Sequence, residues 1–378
     1  MRSNRTISRG DSPIVLHVVQ SLRGGGAETF VRELLPRLRQ RGIDARALCA
    51  YGTSGLTEEE TQAWSGTVYC AQRSRVPKFA YLLQLRRIMQ QVAPDIMHTH
   101  THVGATWGRA AGIMARVPRL VHTEHRSVEA LSIPERVAAA VLNRRTDALV
   151  TFSEQTAELI RIREGVHDLH IIPNGVAVQP SPTLRDREEA RAKLGIDRRC
   201  VVVGMIANLH AHKNPDIAIE ALARLPRRLH DTVQLALMGD GPLLGHLRDR
   251  AQALGVQERV KFLGFRTDLV QLLPGLDIVL TLSRREMMPM SLLEAMNASL
   301  PIIGTPHLGT LDLVVDMETG MIVRSWEPAR IAEAIEWATE NPQWRVRAGA
   351  AAHARLASNF DIELVATQYA DLYRHLLQ

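Results

Sequence analysis

Short apolar runs rich in β-branched residues alternate with longer stretches whose apolar positions recur every three to four residues. In the first half the runs are Ile14–Val19, Asp95–His98, Arg119–Thr123 and Ala148–Phe152. Helical periodicity fills Ala27–Arg39, Lys78–Gln91 and Pro134–Arg145. In the second half a helical stretch at Arg187–Leu194 precedes runs at Val201–Ala207, Val233–Met238, Val260–Leu263, Asp277–Leu282 and Pro301–Gly304. Apolar runs without polar alternation suit parallel strands covered on both faces. Strand–helix alternation at this spacing predicts α/β architecture with two doubly wound, Rossmann-like parallel sheets. Pro173, Asn174, Gly175, Pro180, Ser181 and Pro182 supply linker chemistry between the halves. The predicted organisation is one domain over residues 1–178, a second over 179–358, and a closing helical segment over 359–378. That last helix, roughly Asp361–Leu377, carries Leu364, Tyr369, Leu372, Tyr373 and Leu376 on one predicted buried face. In such sheets ligands bind at strand carboxyl ends, so a cleft between the domains is the expected site.

One stretch carries the most chemistry. After Asp277–Leu282 the chain reads Ser283-Arg284-Arg285-Glu286-Met287-Met288-Pro289-Met290-Ser291-Leu292-Leu293-Glu294. Pro289 suits the first turn of a helix, where its missing N–H is no loss. Glu286 is then expected on a strand's carboxyl-end loop and Glu294 about a turn inside the next helix. Backbone amides at residues 288–291 would face the same crevice and attract phosphate. Carboxylates beside them suit sugar hydroxyls. The combination suggests a sugar nucleotide; two solvated surface charges are the other reading of this segment.

Size and composition narrow the class. The chain has 378 residues, 46% hydrophobic and 23% charged, enough for two globular domains. Aromatics are only 4%, so stacking platforms for nucleic-acid bases are scarce and no nucleic-acid partner is expected. Cys49, Cys70 and Cys200 show no CxxC spacing, which implies a reducing compartment and no zinc site. The run Ile14–Val19 is too short for a signal-peptide core, and no stretch approaches 18 apolar residues. A cytoplasmic location is therefore expected. The net charge of +6 is uneven: residues 1–178 hold 23 Lys and Arg against 16 Asp and Glu, and the remainder hold 23 against 24. A basic first half could meet an anionic membrane surface, placing the protein at its inner face. Scattered, solvated arginines account for the same count.

Other segments sit where strands end. Gly24-Gly25-Gly26-Ala27-Glu28 follows the first run and opens a helix, a turn that lets backbone approach a ligand. It lacks the third glycine of the dinucleotide fingerprint, since Thr29 stands there. Met238-Gly239-Asp240-Gly241-Pro242 also follows a strand, but no acid for a ribose closes the next one. Asn208 and Lys213 follow Val201–Ala207. A lysine there can neutralise a leaving diphosphate, an effect worth roughly 3–4 kcal/mol. His98, His100 and His102 alternate, and His122 and His125 close another run. They are read as lining a polar cleft. With no Asp-x-Asp pair in the chain, no metal is expected.

In order, these segments resemble the retaining glycosyltransferases of family 4, which have the two-domain GT-B fold with a C-terminal helix crossing back to the first domain. The resemblance runs through Gly24–Glu28, Asp95–His100, Thr123-Glu124-His125, Ile172–Val176, Lys213, Gly239–Pro242, Phe262–Phe265 and the Glu286–Glu294 pair. It implies a retaining hexosyl transfer without metal or cofactor, from a UDP- or GDP-linked sugar to a glycan or lipid-linked hydroxyl of a bacterial surface polysaccharide or glycolipid. It implies catalytic roles for His125, Lys213 and Glu286. Donor-sugar-nucleotide contacts would come from Gly25, Gly26, Asn208, Gly241, Arg266, Met288, Pro289, Met290 and Glu294, with His100 and His122 on the acceptor side. The chain departs from the family at Met287, where glycine is usual, at Asn208, where arginine is usual, and at Leu308-Gly309-Thr310-Leu311-Asp312, where Gly-Gly-x-x-Glu is usual. These departures leave room for a non-catalytic sugar-nucleotide-binding partner subunit, and the fold also serves sugar-nucleotide epimerases.

Overall fold

The computed structural model describes residues 12–51, 55–72, 77–101, 104–125, 132–164, 166 and 169–378. The chain forms two compact units: residues 1–175 with 362–378, and residues 176–361. The sequence chemistry placed the changes of unit at 178/179 and 358/359. Val176 N–H donates to the Phe360 carbonyl (3.1 Å), and Val176 pairs with Asp361, so these residues stay with the second unit. The Asn297 side chain clasps the Ala177 carbonyl and the Gln179 amide, both at 2.9 Å. The proline-rich stretch is therefore pinned where it enters that unit.

The first unit holds a seven-stranded parallel sheet, β1 (Ile14–Val19), β2 (Asp44–Cys49), β3 (Val68–Cys70), β4 (Ile96–Thr99), β5 (Arg119–Thr123), β6 (Ala148–Thr151) and β7 (Leu169–Ile171), in the order β3-β2-β1-β4-β5-β6-β7. Every residue of β1 is buried, as a central strand covered on both faces requires. On one face Ile14, Leu16 and Val18 pack with Tyr81, Leu85 and Met89 of the helix Lys78–Val92. The C-terminal helix Ile362–Leu377 packs in this unit against the helix Gly26–Gln40. Arg37 and Arg41 pair with Glu363 at 2.9 and 2.8 Å, and Phe30 lies against Tyr369. Tyr369, Leu372 and Tyr373 are buried, but Leu364, expected on the same face, is 47% exposed. At 3.6 residues per turn, Leu364 lies well round the helix from the buried Val365, Tyr369 and Tyr373.

The second unit holds a six-stranded parallel sheet: β8 (Val201–Ile206), β9 (Val233–Met238), β10 (Val260–Gly264), β11 (Ile278–Thr281), β12 (Ile302–Gly304) and β13 (Gly320–Ile322), in the order β10-β9-β8-β11-β12-β13. Its core joins Val203 and Met205 of β8 to Ile219 and Leu222, Leu235 and Leu237, and Ile331 and Ile335. Strands β2, β3, β7 and β13 have no counterpart among the apolar runs. β3, β7 and β13 are three-residue edge or near-edge strands, and β2 (DARALC) mixes charge with apolar residues.

Candidate functional site: two carboxyl-end clusters

All strands of each sheet run the same way, so the loops after them collect on one edge. In the second unit that edge carries the segments after β8, β9, β10, β11 and β12. The loop after β8 ends in a short helical turn, Ala211–Lys213. Asn214 then takes a left-handed φ of 52° and donates its side-chain amide to the Leu282 carbonyl (2.7 Å). The helix Pro215–Arg224 follows, with proline at its start. This anchoring carries Lys213 to the loop after β11, where its ammonium pairs with the Glu286 carboxylate. Ser283 donates to the other oxygen of Glu286 (3.0 Å), and Arg284 N–H donates to the His212 carbonyl (2.9 Å). The two loops are thus one unit.

A third segment buttresses them. Gly309 N–H donates to the Glu286 carbonyl (3.0 Å). A Cβ at position 309 would stand 2.5 Å from Pro289 Cδ and 2.6 Å from the Met287 carbonyl, so only glycine fits beside this loop. His307, just before the helix Leu308–Leu313, accepts from Thr310 N–H through Nδ1 (3.3 Å). Its Nε2 must then carry the proton, and lies 2.9 Å from both the Thr281 and Thr310 hydroxyls. Burial holds His307 down to about 4, with nearby Glu286 opposing and Lys213 assisting. It is a neutral strut between β11 and β12.

Glu294 lies one turn inside the helix Met290–Asn297. Burial alone raises its carboxyl to about 7. Among the described residues no side-chain partner offsets that cost. Pro289 precedes this helix and gives no side-chain cap, and the Glu294 carboxylate is held without a counter-charge. Met287, Met288 and Met290 are buried. Asn208 is exposed on the loop after β8, and Arg284 and Arg285 are exposed after β11. Gly239 and Gly241 are required by packing: a Cβ would meet the Ala207 carbonyl at 1.9 Å in the first case and the Leu209 carbonyl at 2.7 Å in the second. Arg266, beyond β10, forks onto its neighbour Asp268 at 2.8 and 2.6 Å.

The first unit builds a different cluster. His17 of β1 lies 3.1 Å from His100, Nδ1 to Nε2, and His100 Nδ1 lies 3.1 Å from His125 Nε2. His98 sits beside them between the Tyr373 hydroxyl (2.6 Å) and Thr123 Oγ1 (2.7 Å), and Thr123 reaches Tyr369 at 3.2 Å. Burial holds His17 at about 3, His125 at about 3 against an opposing pull from Glu124, and His98 and His100 well below the usual imidazole range. Each ring is neutral and owns one N–H. His17 Nε2 is buried without a partner. A buried orphan acceptor is tolerated better than an orphan N–H. On that ground the protons are assigned to Nδ1 of His17 and of His100, each donating along the chain. His125 Nε2 then accepts, and its own proton sits on Nδ1.

A model of Glycosyltransferase Family 4 matches residues 24–179, and a model of glycosyl transferases group 1 matches residues 186–355. The chain belongs to glycosyltransferase family 4. It is 26% identical over 309 residues to the UDP-Gal:alpha-D-GlcNAc-diphosphoundecaprenol alpha-1,3-galactosyltransferase of Escherichia coli, covering 77% of this chain and 78% of that one. It is 27% identical to the D-inositol 3-phosphate glycosyltransferase of Corynebacterium diphtheriae, covering 92% and 89%. In fold it is similar to Anabaena HepE, solved with UDP and glucose, at a TM-score of 0.84 and 24% identity over 96% of this chain and 100% of that one. These neighbours have the GT-B fold, and so does this glycosyltransferase.

Within this family 4 chain the sheets bring Lys213 and Glu286 into direct contact and keep Glu294 nearby in sequence on the next helix. They link His100 to His125 but separate both from His122. Strand alternation turns His122 to the other face, where its Nδ1 meets the Thr99 hydroxyl (2.9 Å) and its Nε2 lies 3.5 Å from Glu124. His102 lies outside the described residues. At Gly25 a Cβ would stand 2.2 Å from Glu28 Oε2. The buried Glu28 carboxylate therefore already folds over the start of the helix Gly26–Gln40, at the amides of Gly25 and Gly26 expected to meet phosphate. His17, Ser283 and His307 were missed from sequence. His17 had a readable signal, a lone imidazole inside an apolar strand. The sequence places Tyr369 and Tyr373 on a buried apolar face and gives no sign of their polar contacts with His98 and Thr123. His17, His98 and His100 also hold nitrogens within 4.8 Å of one another, close enough for a metal. Apart from His17 Nε2, those ring nitrogens already hydrogen-bond to one another, to His125 or to hydroxyls.

Proposed function

We propose that this family 4 glycosyltransferase moves a hexose from a UDP- or GDP-linked donor to an acceptor hydroxyl, with retention of configuration and without a metal. The observation that carries the reading is Glu294. A half-buried carboxylate with no counter-charge, on a helix whose start has no side-chain cap, is costly unless a ligand brings hydroxyls to it. Ribose hydroxyls suit it, and the adjoining amides suit a diphosphate. The UDP complexes of HepE support a nucleotide-linked donor.

Lys213 would leave its pairing with Glu286 to neutralise the departing diphosphate. Glu286, still held by Ser283, would then turn to the sugar hydroxyls. Because the cation is neutralised in the free protein, its charge is spent where negative charge develops, which favours the transition state over the ground state. Front-face attack assisted by the leaving phosphate would give retention without the flanking carboxylate pair of glycosidases.

The acceptor would be a glycan or lipid-linked intermediate of a bacterial surface polysaccharide or glycolipid, a reading supported by the undecaprenol-linked substrate in the name of the Escherichia coli relative. Contact with an anionic membrane suits such an acceptor. The helix Ile133–Asn143 exposes Ile133 (76%), Val137 (60%) and Val141 (58%) in one stripe, flanked by exposed Arg136, Arg144 and Arg145. That is the composition of an interfacial helix. Among the described residues no helix is long and apolar enough to cross a membrane.

The test is incubation with a panel of UDP- and GDP-sugars, with and without acceptor, in EDTA. Acceptor-dependent transfer that survives EDTA is expected. Sugar isomerisation without acceptor would make the chain an epimerase, and no turnover despite nucleotide binding would make it a binding subunit.

A further inference from the structure

Cys49 and Cys70 have no paired spacing in sequence, yet the fold places them side by side. β2 and β3 run parallel, and Cys49 and Cys70 are direct register partners at the ends of both strands. Adjacent strands lie about 4.8 Å apart, within the roughly 4.4–6.8 Å between Cα atoms that a disulfide spans. Cys49 is buried and Cys70 is exposed. β3 is an edge strand whose sheet partner is β2.

We propose that Cys49 and Cys70 form an oxidative modification site, with Cys70 attacked first by hydroperoxides and Cys49 closing a reversible intrachain disulfide. The buried Cys49 S–H donates toward Cys70, which lowers the Cys70 thiol to about 7 and pushes Cys49 up. An exposed thiol with substantial thiolate at neutral pH is the reactive kind. The Cys70 thiolate attacks the peroxide oxygen, the O–O bond breaks, and an alcohol or water leaves after taking up a proton. The Cys70 sulfenic acid that results faces its register partner Cys49 on the neighbouring strand. Cys49 sulfur attacks Cys70 sulfur, the S–O bond breaks, and hydroxide leaves as water with the Cys49 proton. Two thiols lose two electrons and the hydroperoxide is reduced to alcohol and water. The bridge ties the edge strand to its neighbour and closes residues 49–70 into a loop, independently of the glycosyl-transfer reading.

The test uses the full chain with Cys200→Ser, reduced and then treated with stoichiometric hydrogen peroxide. Both remaining thiols should disappear together, a Cys49–Cys70 linked peptide should appear without reduction, and dithiothreitol should restore both. Cys70→Ser, a change at an exposed position, should leave Cys49 unoxidised. Cys49→Ala should slow alkylation of Cys70 at pH 7 by roughly tenfold as its thiol returns toward the ordinary value of about 8.5. Added oxygen on Cys70 with Cys49 still free, or a dimer linked through Cys70, overturns the proposal.

Discussion

Replacing Glu294 with glutamine separates the cost of this side chain from its use. In the unfolded chain its carboxyl titrates near 4.5, and in the folded state near 7. Between those values the folded state binds more protons, so stability falls as pH rises from 4.5 to 7. Below 4.5 both states are protonated and no penalty exists; above 7 the penalty is complete. A shift of this size, at about 1.4 kcal/mol per unit, sets an upper value of about 3 kcal/mol, and partial solvation reduces it to about 2–3 kcal/mol. Glutamine is neutral throughout. Glu294→Gln should therefore be more stable than the wild type by that amount at pH 8 and nearly equal at pH 4.5. At roughly 2–4 °C per kcal/mol for a unit of this size, the Tm at pH 8 should rise by about 4–12 °C. The same variant should bind the donor nucleotide more weakly by about 1.5–3 kcal/mol, because it loses charge-assisted hydrogen bonds to ribose. Thermal unfolding across pH and calorimetric titration with UDP and GDP read both effects. Equal stabilisation at both pH values would show that desolvated charge is not the cause. Unchanged affinity for the tighter nucleotide would refute the ribose assignment.

Lys213→Ala should lower kcat by about 100- to 1,000-fold with a smaller change in KM, measured by steady-state transfer kinetics; a KM effect alone would mark the lysine as a uniform binding contact. Gly309→Ala should displace the loop at Met287 and Pro289, costing about 1–3 kcal/mol in stability and weakening nucleotide binding; unaltered unfolding and affinity would mean that the loop accommodates a methyl. Tyr373→Phe should cost about 1–3 kcal/mol in denaturant unfolding, because His98 Nδ1 loses its partner in a buried site. The wild type should co-sediment with anionic but not neutral vesicles and be released at high salt, with each arginine near the surface contributing about 1 kcal/mol. Val137→Glu, at a 60% exposed position, should abolish that binding without affecting the fold; equal sedimentation with both vesicle types would reject the membrane face.

Much of the architecture is local and therefore legible in the chain. Central strands such as Ile14–Val19 and Val233–Met238 are mostly apolar runs, interrupted only by His17 and Gln234, because both faces are covered. The carboxyl-end loops follow from strand direction, which brought Lys213, Glu286 and Glu294 into view without coordinates. The three-residue edge strands β3, β7 and β13 escaped notice because so short a strand with one neighbour needs no apolar signature, whereas the longer edge strand β10 was legible. Which side chains meet was decided by tertiary structure alone. The ion pair of Lys213 with Glu286 spans 73 residues and depends on the left-handed turn at Asn214. The His17–His100–His125 chain needs β1 and β4 adjacent, β5 beyond them, and burial deep enough to keep every imidazole neutral. Glu28 closing over Gly25, His122 turned away from His100, and Cys49 set against Cys70 all follow from register and strand order. A sequence pattern carries the periodicity of one element, whereas contacts between elements are fixed only when the sheets assemble.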